Sequence, residues 1–135
     1  MTTPRVVQPP EWTAPRGYSN GMAARGELLA IAGQIAWDAQ QRIVSDDFAE
    51  QFHQCLANVL QVVRAAGGDA SALVSLTVFV TDKRRYLAAT KALGESWRAL
   101  LGRHYPAMAL VEVSALVEDR AQVEIQGLAV LPESP

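Results

Sequence analysis

A single cysteine, Cys55, stands in 135 residues. No internal disulfide can staple the chain, so its fold must rest on a packed core. Cys55 falls within a helical pattern, where a small buried hydrophobe is expected rather than a reactive thiol. Histidine is almost as scarce. His53 and His104 have no ligand partner at i, i+4 or a similar spacing, and no metal site is expected. Basic residues never gather beyond Lys83-Arg84-Arg85, which sits where a strand gives way to a helix and reads as a solvated loop. With a formal charge of −2 and a pI near 5.6, the chain has no electrostatic footprint for nucleic acid. No apolar run approaches the ~18 residues of a membrane span. The opening Met1-Thr2-Thr3-Pro4-Arg5 lacks the basic-then-apolar pattern of a secretory leader. The cytoplasm is therefore the expected compartment. A phosphate-binding loop, a dinucleotide fingerprint and a motif-supported Ser-His-Asp order are also missing, so no cofactor is expected.

What the sequence does have is apolar content: 50 % hydrophobic against 19 % charged, the balance of a compact globule. A chain of this length buries about 65–70 % of its unfolded surface as one domain, here 1–135. Residues 1–15 hold four of the seven prolines and read as an extended lead-in or edge segment. Two strands are expected near 20–25 and 28–36, joined at Arg25-Gly26-Glu27. Asp47 and Glu50 open a helix whose stripe is Phe48, Phe52, Leu56, Val59 and Val63, closed by Gly67-Gly68. Residues 73–80 have the β-branched content of a strand. Asp82 then caps a second helix with the stripe Tyr86, Leu93, Trp97 and Leu100 or Leu101, stopped at Gly102. Strands near 107–114 and 121–131 flank Val117-Glu118-Asp119-Arg120 and read as a hairpin.

The order β-β-β-α-β-α-β-β implies an α+β fold: a single mixed β-sheet with two helices on one face. The second face keeps apolar alternation in the last two strands and has nothing in the chain to cover it, so self-association is expected.

The stretch Tyr105-Pro106-Ala107-Met108-Ala109-Leu110 together with Val123-Glu124-Ile125, Gly17-Tyr18-Ser19-Asn20-Gly21 and Gly33-Gln34-Ile35 resembles the reactive intermediate deaminase (RidA/YjgF) family. Asn58-Val59, Ala65-Ala66-Gly67 and Thr77-Val78-Phe79-Val80-Thr81-Asp82 extend the resemblance over residues 16–131. It implies a homotrimer with a barrel-like core and a small-molecule cleft at each subunit boundary. In imine-hydrolysing members the motif reads Pro-Ala-Arg, and the arginine grips the substrate carboxylate. Here that position is Met108. Retained are Tyr18, Gly33 and Glu124, which by resemblance line the cleft or position the attacking water. Thr90 aligns with an asparagine that frequently faces the pocket.

Imine hydrolysis needs a proton shuttle, for which Glu124 and Glu112 are the candidates. Their numbers are symmetric about a hairpin centred near residue 118, which would set them opposite each other on one face. The alternative is that both reach solvent at a rim. Met108 either packs in the core or faces an uncharged part of the substrate. Arg98, Arg103 and His104 either restore positive charge to the pocket, with Arg103 the first choice, or complement a helix dipole. Trp37 is a cleft wall or an interface aromatic. Three functions remain open: a hydrolase of reactive imines or enamine-like compounds, not the usual 2-imino acid deaminase; a non-catalytic ligand-binding trimer; and the ribonuclease or translation-inhibitor role described for some family members, which the acidic balance disfavours.

Overall fold

The computed structural model describes residues 4–133. Two strands, β1 (Arg5–Val7) and β2 (Gly21–Ala23), pair antiparallel into a short ribbon. The main sheet has the order β3 (Glu27–Gln34), β6 (Val123–Leu131), β4 (Leu73–Val80), β5 (Ala107–Glu112). Among the described residues, three α-helices, α1 (Phe48–Ala65), α2 (Lys83–Ala88) and α3 (Thr90–Leu101), and one short 3-10 turn (Ala70–Ala72) complete the fold. Strand β6 runs antiparallel to both neighbours, while β4 and β5 are parallel, as the intervening helical crossover requires.

Three expectations are corrected. The strands flanking Arg25-Gly26-Glu27 do not pair with each other. β2 pairs with the proline-rich lead-in, whose first three residues lie outside the described residues, and β3 pairs with β6. Gly26 is where the chain passes between the two sheets. Its φ is +148°, and a side chain there would run into the Leu131 backbone carbonyl. Second, β5 and β6 form no hairpin, because β4 lies between them. Residues 113–122 cross the end of β4, tied to it by Val113 N–H to Val80 O (2.8 Å) and Thr81 N–H to Gln122 O (3.1 Å). Third, the second helix is two, broken at Ala89 (φ −106°, ψ 8°). The caps at Asp47, Asp82 and Gly102 and the stop after Ala66 stand as expected.

Alternation along β6 fixes which face is the core. Val123, Ile125, Ala129 and Leu131 are buried under α1, whose Phe48, Phe52, Leu56, Val59 and Val63 meet them. Gln51, also buried, ties α1 to the crossover: its amide donates to Ser45 O (2.8 Å) and Arg120 O (3.0 Å), and its carbonyl accepts from Gln122 N–H (2.9 Å). Among the described residues, no helix covers the opposite sheet face. Leu28 is 64 % exposed there, Val111 42 % and Leu128 40 %, large apolar groups that water solvates poorly, with Gln126 and Thr77 set among them.

Candidate functional site

Glu124 projects onto that uncovered face. In register it pairs with Phe79, which pairs with Val111, so all three share one side of the sheet. A bulge in β3 between Ile31 and Gln34 completes the arrangement. Continued without it, the Ile31–Gly127 register would set Gly33 opposite Ile125 on the helix side. The extra residue instead carries Gly33 under the Glu124 side chain. A Cβ at Gly33 would lie only 2.8 Å from the Glu124 carboxyl carbon and 3.1 Å from its Cγ. The carboxylate thus rests against bare backbone, and among the described residues it forms no ion pair. Its charge is felt on the other side of the sheet, where burial first and Glu124 second push the Cys55 thiol pKa up.

Glu112 does not join it. The residue pairs with Val80, so it belongs to the opposite face, and its Oε1 accepts the Lys83 N–H at 3.0 Å, satisfying a free donor at the start of α2. The expected juxtaposition of two carboxylates depended on the hairpin and goes with it.

Met108 lies on the helix side, paired with Leu76. With Leu110 it forms the floor of a cavity of about 250 Å³ at the β5 edge, walled by Trp97, Thr90, Tyr105 and Arg98. Trp97 and Tyr105 stack at 6.1 Å between ring centroids with planes 5° apart. The indole is held by its N–H to His104 O at 3.0 Å, and the His104 ring sits 2.7 Å from Leu73 O through Nε2. His53 is engaged in turn by Ser96, 2.9 Å away. Tyr18 arrives at the same edge. Ser19 bridges Ala107 in parallel, with its N–H donating to Pro106 O at 3.1 Å and its hydroxyl to Tyr105 O. Gly17, at φ +78°, makes the turn that lays this segment along the motif, and itself lines the cavity.

The structure therefore brings Tyr18, Thr90 and Met108 to one edge, and Gly33 with Glu124 to the reverse face. Arg103 is exposed in the turn after α3 and does not line the cavity; Arg98 does. Trp37 sits apart, in an open cavity of about 550 Å³ with Gln34 and Asn58, its carbonyl accepting from the Asn58 amide at 2.9 Å. Trp97, Tyr105 and Gly94 were not foreseen as cavity residues. The stripe that identified Trp97 as core gave no hint that it also lines a cavity.

A family model described as endoribonuclease L-PSP matches residues 10–131. The 2-iminobutanoate/2-iminopropanoate deaminase of Salmonella typhimurium is 34 % identical over 105 residues, 78 % of this chain and 80 % of its own. A RutC family protein of Synechocystis sp. is 35 % identical over 133 residues, covering 96 % and 98 %. Among solved structures, a Rid family protein of unknown function from Yersinia pestis superimposes with a TM-score of 0.85 at 30 % identity, covering 96 % of this chain and all of the other. Motif order, sheet register and these matches agree: the chain belongs to the endoribonuclease L-PSP family, the RidA/YjgF group of proteins.

Proposed function

We propose that this protein is a RidA-like hydrolase of small reactive imines or enamine-like compounds, acting without a cofactor in clefts between the subunits of a cytoplasmic homotrimer. The observation that carries the reading is the Glu124 carboxylate lying over Gly33 on a sheet face that no helix covers among the described residues. A second copy on that face would exclude bulk water from Glu124 and hold the reacting water beside a carboxylate that can shuttle its proton. Association would also bring a neighbour's β5 edge, with Tyr18, Thr90 and Met108, against Glu124. One chain alone keeps the two sets on opposite sides of its sheet.

In such a cleft Glu124 takes a proton from water as the oxygen attacks the C=N carbon. The C=N π electrons move to nitrogen, which receives the proton Glu124 has just taken from water, giving a neutral carbinolamine. Glu124 then takes the carbinolamine hydroxyl proton and passes it to nitrogen as the C=O bond forms and the C–N bond breaks, so ammonia leaves with a carbonyl product. Gly33 leaves room for the carboxylate itself to lie against the backbone, and Tyr18 closes the edge. The deaminase named for the Salmonella relative is the same reaction class. Met108 cannot supply the bidentate grip of a guanidinium, so short 2-imino acids are poor substrates.

The test pairs wild type with Glu124→Gln on imines generated from alanine, leucine and phenylalanine by an amino-acid oxidase, with ammonia release measured above the spontaneous rate. The variant should remain a trimer by light scattering and lose the activity, since an amide cannot take a proton from water. Equal activity in both would reassign Glu124 to structure. No activity in either, with ligand binding kept, would leave a non-catalytic binding trimer. A stable monomer at micromolar concentration would remove the cleft.

A further inference from the structure

We propose that Arg98 is the anion-gripping residue of the Met108 cavity, selecting substrates that join a carboxylate to a flat, apolar body. The inference rests on the hydrolase reading above and names the substrate class of that same site. Three observations converge on it. The first is where the guanidinium goes. Arg98 stands in the last turn of α3, where a cation ordinarily serves the free carbonyls of the helix end. Here it turns back one turn instead: a Cβ on Gly94 would meet its Nη1 at 3.4 Å, and both residues line the cavity. A glycine inside a helix costs about 1 kcal/mol relative to alanine, and at Gly94 it leaves open the space over which the guanidinium lies.

The second is that Arg98 has no ion-pair partner among the described residues. Arg98 is an exposed residue and shares this lack of a partner with Arg103; what separates the two is that Arg98 lines the cavity and Arg103 does not. The third is the shape of the walls. Trp97 and Tyr105 stack on one another, their planes 5° apart, as aromatic plates of one wall, and Met108 offers a polarisable floor. Such plates suit a flat or bulky apolar group, and the volume of about 250 Å³ exceeds what a three-carbon acid fills. A strand-borne arginine at position 108 would hold an acid at the floor. Arg98 holds it at the helix wall, leaving the floor to the apolar group.

Calorimetric titration with phenylpyruvate and its uncharged counterpart phenylacetone tests the assignment in the intact protein. Wild type should bind phenylpyruvate about 10–100-fold more tightly. Arg98→Met should reduce that preference to about threefold or less while leaving phenylacetone unchanged, and Arg98→Lys should fall between, because an ammonium lacks the planar fork. Arg103→Met, altered at an exposed turn, should keep the wild-type preference. Circular dichroism checks that each variant is folded. Wild type without the preference, or Arg98→Met that retains it, overturns the proposal, as does failure of wild type to bind either compound. The two readings separate cleanly. Imine hydrolysis that depends on Glu124 without an Arg98-dependent preference sinks only the Arg98 assignment. The preference without hydrolysis sinks the hydrolase and leaves the ligand class standing.

Discussion

Gly33→Ala is the sharpest single perturbation the geometry offers. Gly33 has no left-handed φ, so alanine meets no backbone strain there. The new Cβ would nonetheless sit 2.8 Å from the Glu124 carboxyl carbon. Ordinary carbon contacts are about 3.5–4.0 Å, so the carboxylate has to withdraw by roughly 1 Å. A displacement of that size at a reacting group costs on the order of 100-fold in rate, or about 2.7 kcal/mol of barrier. Stability should scarcely change. The group that moves is the end of a half-exposed side chain, and its off-rotamer cost of about 0.5–1.5 kcal/mol is offset by the ~0.4–1 kcal/mol gained when glycine is removed from the unfolded chain. The expected result is imine hydrolysis down about 100-fold with a melting temperature within about 4 °C of wild type. Gly127→Ala is the contrasting control, since its Cβ would press on Leu76 Cδ2 at 2.9 Å and the Ser75 carbonyl at 3.0 Å inside the core. That variant should lose about 1–3 kcal/mol of stability while each folded molecule keeps its rate. Wild-type activity in Gly33→Ala, or its failure to fold, would refute the reasoning.

Gly94→Ala should stabilise α3 by about 1 kcal/mol, raising the melting temperature by about 3–5 °C, while weakening phenylpyruvate binding; an unchanged affinity in the same titration would mean the Arg98 side chain does not depend on that space. Hydrolysis of 2-iminopropanoate should run at least about 30-fold below an arginine-bearing relative assayed alongside it, reflecting about 2 kcal/mol of lost charge-assisted hydrogen bonding, and parity between the two would show that the floor residue is immaterial. Cys55 should resist thiol-disulfide reagents in the native protein at pH 8 and react once denatured, because burial raises its pKa. The unfolded thiol gives up its proton near 9.0 while the folded one keeps it, so this contribution is intact below that pH and declines as pH rises above it, as melts from pH 8 to 10.5 would record.

The helices and core were legible because their signals are local. The Asp47 cap, the Phe48-to-Val63 stripe and the glycine stop all act within one segment, and each stands in the structure. Strand pairing was not legible where it depends on distant residues. Nothing between residues 113 and 122 announces that β4 will be inserted between β5 and β6, so proximity in sequence suggested a hairpin and with it a carboxylate pair. The bulge that delivers Gly33 to Glu124 is equally silent, since one added residue leaves the composition of a strand unchanged. Arg98 and Arg103 were indistinguishable by charge and neighbourhood. Only the i, i+4 spacing of Gly94 and Arg98 separated them, and that spacing becomes informative once the helix is known to face a cavity.

That Glu124 and the Met108 cavity occupy opposite sides of one sheet carries a consequence for mixtures. If the proposed trimer forms, each cleft draws its acid from one chain and its cavity from another. Glu124→Gln and Arg98→Met then damage different halves of a shared site. Two variants, each defective alone toward an aromatic imino acid, would regain activity when unfolded together in equal amounts and reassembled at random, with roughly a quarter of clefts drawing both intact halves. A site contained within one chain would give no such rescue. Activity would likewise fall faster than protein concentration once dilution separates the subunits. The catalytic unit would then be the junction between chains, so its abundance is set by an association equilibrium rather than by how much folded protein is present.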